Sequence, residues 1–234
     1  MLPIKKLILY TWDMEKSHLK VGAWCAYIMG ICYVLIVICA FLSPRSIASY
    51  VTSAQYFRDF EGYEWIFVFL KTLMVIANAS MVGVIVAFYS ISNKKGVLTL
   101  FALLAIIGAG IGMFQSVIDA TTVPHLAKEY EMADPAIKHV IIAFGVANPG
   151  IYALSLGTPG LWFLINYAFF ARRLPKFLVL LGLLWGAGNV VTVIAHMLVL
   201  VWLIYLVALG AGIAAPLWAI WQAHYFNKYS LTLS

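Results

Sequence analysis

Charge is scarce in this chain. Only 10% of its 234 residues are Asp, Glu, Lys or Arg, against 64% hydrophobic ones, and the mean hydropathy is +0.97. One soluble core of this length could not hide so much apolar surface, which excludes a soluble globular domain and makes a bilayer the fitting solvent. Acidic residues are the rarer sign, 9 against 15 basic ones. The resulting formal charge of +6 does not mark a nucleic-acid binder, because the basic residues follow the ends of apolar runs instead of forming one patch. Cysteine is scarce too. Cys25, Cys32 and Cys39 all fall in the first apolar run. Neighbours in that series are about 10 Å apart along a regular helix, too far for a disulfide. With no CxxC or Cys/His metal pattern, they read as buried, inert thiols. Catalytic signatures are missing as well: there is no GxSxG, no GxxxxGK[ST], no GxGxxG after a strand and no pair of carboxylates within a span. The last span also has no lysine of the kind a retinal protein needs. The reading leans away from an enzyme, and no catalytic residue is assigned.

What is present is a series of apolar runs long enough to cross about 30 Å of hydrocarbon. The runs predict spans over Val21–Leu42, Trp65–Ile91 and Val97–Ile118, a fourth within His139–Phe170, and a fifth and sixth within Phe177–Phe226. That last block is about twice one span, so it must fold back, and its least apolar place is His196–Leu200. The expected fold is an all-α polytopic bundle of six transmembrane helices. Residues 1–20 form an amphipathic basic segment lying on the membrane, 21–226 the transmembrane domain and 227–234 a short cytoplasmic tail. The first segment is not a signal peptide, since its apolar core, Leu-Ile-Leu-Tyr-Thr-Trp, is too short and no small-residue cleavage site follows. Lysine and arginine stay cytoplasmic in short loops. An inner N-terminus places Lys94, Lys95, Arg172, Arg173, Lys176 and Lys228 inside, and leaves only Arg45, Arg58, Lys128 and Lys138 outside. Both termini are therefore expected in the cytoplasm, and the membrane is expected to be the plasma (inner) membrane.

The stretch His139–Phe170 carries two X-Pro-Gly breaks, Asn148-Pro149-Gly150 and Thr158-Pro159-Gly160. As one helix it would be about 48 Å long and need a tilt of roughly 50°. Asp134 is placed to cap, and Pro135 to start, a short outer helix that ends at Asn148-Pro149-Gly150, with the fourth span beginning near Ile151 and kinked at Pro159. The alternative is one long kinked helix that projects outward. Small-residue stripes at Gly108–Gly112, Gly182–Gly188 and Gly210–Ala215 predict that spans three, five and six touch closely.

Polar groups inside a membrane are costly and are functional candidates by default. Lys71 is the one charge well inside a span. It either snorkels outward or turns inward to Asp119. Gln115 and Asp119 share a face at i, i+4, and Asn189, Thr192 and His196 form an i, i+3, i+7 stripe on span five. Together they outline an outer pocket between spans two, three and five, or else interhelical glue. No metal is assigned. Zinc or haem would need converging imidazoles, and His139 with His196 is the pair that could supply them at the outer face. The expected partners are the lipid bilayer and possible further membrane subunits or a second copy of the chain.

The basic N-terminus, the polar outer segment after span three, the link Arg172-Arg173-Leu174-Pro175 and the closing run Pro216-Leu217-Trp218-Ala219-Ile220-Trp221 resemble an uncharacterised bacterial family of short six-span integral membrane proteins. The resemblance runs from Val21 to Phe226 and implies the six-span layout, with no activity or site residue attached. Two functional classes follow from the residues. One is a non-enzymatic membrane protein, either an accessory subunit or a binder of lipid or another small hydrophobic ligand. The other is a transporter or redox/metal anchor using Lys71, Asp119 and His196.

Overall fold

The computed structural model describes residues 4–48, 53–92, 96–146, 149–198 and 200–232, and every regular element among them is helical. Six helices are long: α1 (Ile4–Leu42), α4 (Glu64–Ile91), α5 (Gly96–Met132), α7 (Pro149–Phe170), α8 (Lys176–Met197) and α9 (Val201–Thr232). Three are short: α2 (Arg45–Ala48), α3 (Ala54–Arg58) and α6 (Pro135–Val146). Among the described residues five stretches, within α1, α4, α5, α7 and α8, are long and apolar enough to cross a membrane. The protein is a helical membrane bundle.

Glycine contacts give the arrangement. A Cβ at Gly22 or Gly83 would strike Ala87 or Cys25, so α1 and α4 run antiparallel at close approach. On the other side of α1, Gly30 faces Ala219 and Gly212 faces Val37, which runs α9 antiparallel to α1. The pairs α4 with α5, α5 with α7, α7 with α8 and α8 with α9 complete a ring in which each long helix packs on its two neighbours in the chain, with α9 returning to α1. This order bears out the expected meeting of spans five and six, where Gly188 faces Val207, and corrects that of span three with them. The small faces of α5 and α8 both receive α7, at Gly108 against Leu154, Thr158 and Pro159 and at Gly186 against Gly160 and Phe163, while α5 does not adjoin α8 or α9. Small residues here seat the adjoining helix of the ring, since close backbone approach is what packing against a lipid-surrounded neighbour requires.

The ring encloses an aromatic interior. Phe163 contacts Trp185 and Trp218 at centroid distances of 4.5 and 4.8 Å, and Phe88 contacts Trp162, Tyr167 and Phe226 at 5.6, 5.6 and 5.1 Å. The Phe163–Trp185 pair is tilted and the other four are edge-on; aromatic pairs gain about 0.5–1.5 kcal/mol each beyond area burial.

Two boundaries differ from expectation. α1 runs unbroken through Lys20 and Val21, and α9 continues to Thr232 through the expected tail. The polar stretch after Ile118 is helical as far as Met132 even though Pro124 lies inside it. α5 is therefore about 55 Å long, more than the hydrocarbon needs, and its last turns stand outside the bundle. The short helix before span four is present as α6: Asp134 Oδ1 accepts from the Ile137 N–H at 3.0 Å, capping a helix that opens with Pro135. α6 ends at Val146 and α7 opens at Pro149, so Pro149 and Gly150 of the expected break begin α7, and Asn148 lies outside the described residues.

Candidate functional site

α4 shows its buried face at Phe67, Leu70, Lys71, Ala77, Met81, Val84 and Phe88, a helical stripe that carries Lys71 inward with its neighbours. The ammonium meets Asp119 Oδ2 at 2.6 Å. On α5, one turn before Asp119, Gln115 donates its Nε2 to the other carboxylate oxygen at 2.6 Å. Lys71 is 1% exposed, Gln115 3% and Asp119 7%. Removing both charges from water is expensive, and the pair persists because their attraction in a low-dielectric seam and the Gln115 hydrogen bond offset that cost. The Lys71 Nζ also lies 5.2 Å from the centre of the Phe67 ring, a cation–π contact.

Phe67 links this pair to a second, smaller core that the sequence reading missed. Ile47 of α2, Tyr56 and Phe57 of α3, Phe60, Phe67 of α4, Ala127 and Tyr130 of the extended α5, and Ile141 of α6 pack together as a cap on one end of the bundle. Phe57 stacks on Tyr130 at 4.9 Å, and Phe60 meets Phe67 edge-on at 5.1 Å. Short-range hydrogen bonds fold the segment. Ser53 Oγ accepts from the Tyr56 N–H and caps α3. Asp59 accepts from Ser46 Oγ at 2.6 Å and from Gln55 Nε2 at 2.5 Å. Gly62, at φ +80°, supplies the left-handed turn into α4. The Ser46 and Gln55 hydrogen bonds hold the Asp59 carboxyl below its ordinary value. The Ser53 cap and the apolar trio Tyr56, Phe57 and Phe60 were the signals available in the sequence.

The structure thus brings Lys71, Gln115 and Asp119 together at the cap–bundle junction. It does not bring the span-five residues to them. Asn189, Thr192 and His196 are half-buried on α8, which packs on α7 and α9 and not on α4 or α5. Thr192 Oγ1 donates to the Gly188 carbonyl at 2.8 Å, and His196 Nδ1 lies 2.9 Å from the Thr192 carbonyl. α7 stands between α5 and α8, so the span-five stripe lies on a different helix interface from Lys71, Gln115 and Asp119. His139 is exposed on α6, which packs on α5, so it shares no helix interface with His196. Among the described residues no group of three or more His, Cys, Asp or Glu side chains could hold a metal ion.

On the far side of the bundle, Trp218 Nε1 donates to the Tyr167 hydroxyl at 2.6 Å, and Tyr167 donates to Gln222 Oε1 at 2.7 Å. Beside these, between the start of α5 and the end of α7, lies a groove of about 450 Å³ lined by Gly96, Val97, Leu98, Ile165, Ala168 and Phe169. Its lining is apolar and offers a hydrocarbon ligand dispersion contacts without a polar anchor.

Compared with known proteins, residues 28–222 match the sequence model of a family described as DUF4386, a domain of unknown function. No curated protein and no solved structure matches the chain.

Proposed function

The chain belongs to the DUF4386 family, and from that premise we propose that it is a non-enzymatic, six-span protein of the plasma (inner) membrane whose work is binding, as an accessory subunit or as the holder of a lipid or another small hydrophobic ligand. The observation that carries this reading is the filled interior. Phe88, Trp162, Phe163, Tyr167, Trp185 and Trp218 pack ring on ring across the space that a transport path would occupy. The surfaces left for a partner are the cap and the lipid-facing groove at the α5–α7 seam.

The antiparallel ring favours the sixth span. α9 lies antiparallel to both α8 and α1, which supports a sixth crossing beside the five apolar stretches and a C-terminus on the side of the N-terminus. A second reading, an ion-coupled transporter, is favoured by one observation, the buried Lys71–Asp119 pair. In that reading His196 plays no part, since α8 does not adjoin the pair.

Purification in mild detergent, with native mass spectrometry, absorption spectra and metal analysis, tests the proposal. A lipid, a small apolar compound or a membrane subunit retained in fixed ratio is the expected result. A Soret band or stoichiometric zinc would overturn it in favour of a redox or metal anchor.

A further inference from the structure

Two buried side-chain amides, on the side of the bundle away from the cap, carry donors that nothing accepts. Asn166 is 2% exposed and Gln222 0%, and neither Asn166 Nδ2 nor Gln222 Nε2 has a hydrogen-bond partner. For Gln222 the excess cannot be removed by turning the amide. Trp218 donates to Tyr167, which donates to Gln222 Oε1. With the amide reversed, Nε2 would donate to the phenol oxygen and the phenol proton would lose its acceptor. The chain Trp218, Tyr167, Gln222 therefore ends in a spare donor in either setting.

The two amides belong to one locality. Asn166 is one helical turn from Trp162 and from Phe170 on α7, and Gln222 is one turn from Phe226 on α9. The Phe88 ring of α4 lies 5.6 Å from Trp162, 6.2 Å from Phe170 and 5.1 Å from Phe226. Each amide is thus one turn from rings that meet Phe88, and Gln222 is tied to that aromatic shell through Tyr167, whose ring lies 5.6 Å from Phe88. In such surroundings an unmet donor is costly, and buried polar groups are met as a rule.

We propose that Asn166 and Gln222 form a sealed binding site for a neutral oxygen acceptor, either an ordered water or the carbonyl oxygen of a small apolar molecule. Donors select an acceptor. An anion would need a compensating cation, and neither donor has a charged group in hydrogen-bond reach. Aromatic walls suit a flat, uncharged molecule or a single water held by several polar atoms. The site is separate from the Lys71–Asp119 pair and does not depend on the role proposed above, so its failure would leave that reading standing.

The decisive variant is Asn166→Leu, which removes the donor while keeping the branching and heavy-atom count of the side chain. If an acceptor fills the site, the melting temperature in detergent falls, and adding Gln222→Met lowers it by less than the sum of the single effects, because the two share an occupant. A melting temperature that rises or stays constant in Asn166→Leu would overturn the proposal, since deleting an unmet buried donor relieves the fold. Solvent extraction of the purified wild-type protein and a structure fine enough to show ordered water separate the two sources. A carbonyl compound present once per chain and lost in Asn166→Leu identifies a ligand. Oxygen density beside Asn166 Nδ2 with no extracted compound identifies water. Density with Asn166 turned onto a protein carbonyl and nothing between would also overturn the site.

Discussion

Lys71 has a four-carbon stem that could have carried its ammonium to the membrane surface, and the phase of α4 decides against it. Trp65, Val68, Phe69 and Thr72 face outward, whereas Phe67, Leu70 and Lys71 face in. From the inward face the nearest compensation is Asp119, already held by Gln115 one turn away. The sequence left Lys71 open between snorkelling and an inward turn, because apolar residues such as Trp65, Val68 and Phe69 lie on the outward face as well; Asp119 was legible as the partner an inward turn would find. We expect Lys71→Met or Asp119→Asn alone to cost about 3–5 kcal/mol, because each strands a buried partner, and the double variant to recover much of that loss. Thermal unfolding of the four proteins in one detergent gives the cycle, and strict additivity would refute the coupling. Asp59 gives a pH dependence of known sign. Its carboxyl is held below its ordinary value, first by Ser46 and then by Gln55. The stability it contributes to the cap is therefore present above the unfolded carboxyl range and is lost as pH falls through the lowered value. Protection factors of the α3 amides, corrected for the intrinsic pH dependence of exchange, should fall on acidification in the wild-type protein, and Asp59→Asn should flatten that response.

α7 is the element on which the assembly turns, since it receives α5 on one face and α8 on another. At the α8 contact the glycines are functional as empty space. A Cβ at Gly186 would lie 2.8 Å from Phe163 Cβ and 2.9 Å from the Gly160 carbonyl oxygen, and backbone cannot move aside as a side-chain tip can. Gly110 has nothing within 4 Å. Gly186→Ala should therefore destabilise the bundle by about 1–3 kcal/mol through overpacking, while Gly110→Ala should be neutral or gain up to about 1 kcal/mol from helix propensity. Equal melting temperatures for the two variants would contradict the α7–α8 seam. The sequence showed that these glycines sit on packing faces but not which helix each face meets, because small-residue spacing carries no partner identity. The same limit applied to Asn189, Thr192 and His196, whose shared face was readable and whose separation from Asp119 by α7 was not. α5 was underestimated for a different reason. The charges Lys128, Glu129 and Glu131 and the internal Pro124 look like a loop to a hydropathy reading, yet outside the membrane a charged helix is well solvated, and the apolar stripe Ala127 and Tyr130 seats it on the cap. Asp134 followed by Pro135 was a local signal, and local signals of that kind survive folding.

At the scale of the whole molecule, the parity of the ring ties topology to packing. Six helices that each run antiparallel to both neighbours can close a ring, whereas five cannot without one parallel contact, and the α1–α9 contact is antiparallel from Gly22 beside Phe226 to Gly212 beside Val37. Charge supports the same solution from a different physical source. Arg172, Arg173, Lys176 and Lys228 fall at the end of the ring opposite the cap, and lysine and arginine are the residues retained on the cytoplasmic side. On the six-span proposal the cap, with Glu61 and Glu131 exposed, would face outward. This predicts a labelling pattern in intact cells. In a background with Cys25, Cys32 and Cys39 replaced by alanine, single cysteines at Glu61 and Glu131 should react with a membrane-impermeant thiol reagent, and those at Arg173 and Lys228 should react only after permeabilisation. The Lys228 position is the discriminating one. If α9 failed to cross, Lys228 would share the cap's side and label in intact cells while Arg173 stayed protected, leaving five spans. If the orientation were reversed, all four positions would exchange their behaviour together. Protection at both basic positions with reaction at both acidic ones is the one outcome that satisfies the antiparallel ring and the charge distribution at once.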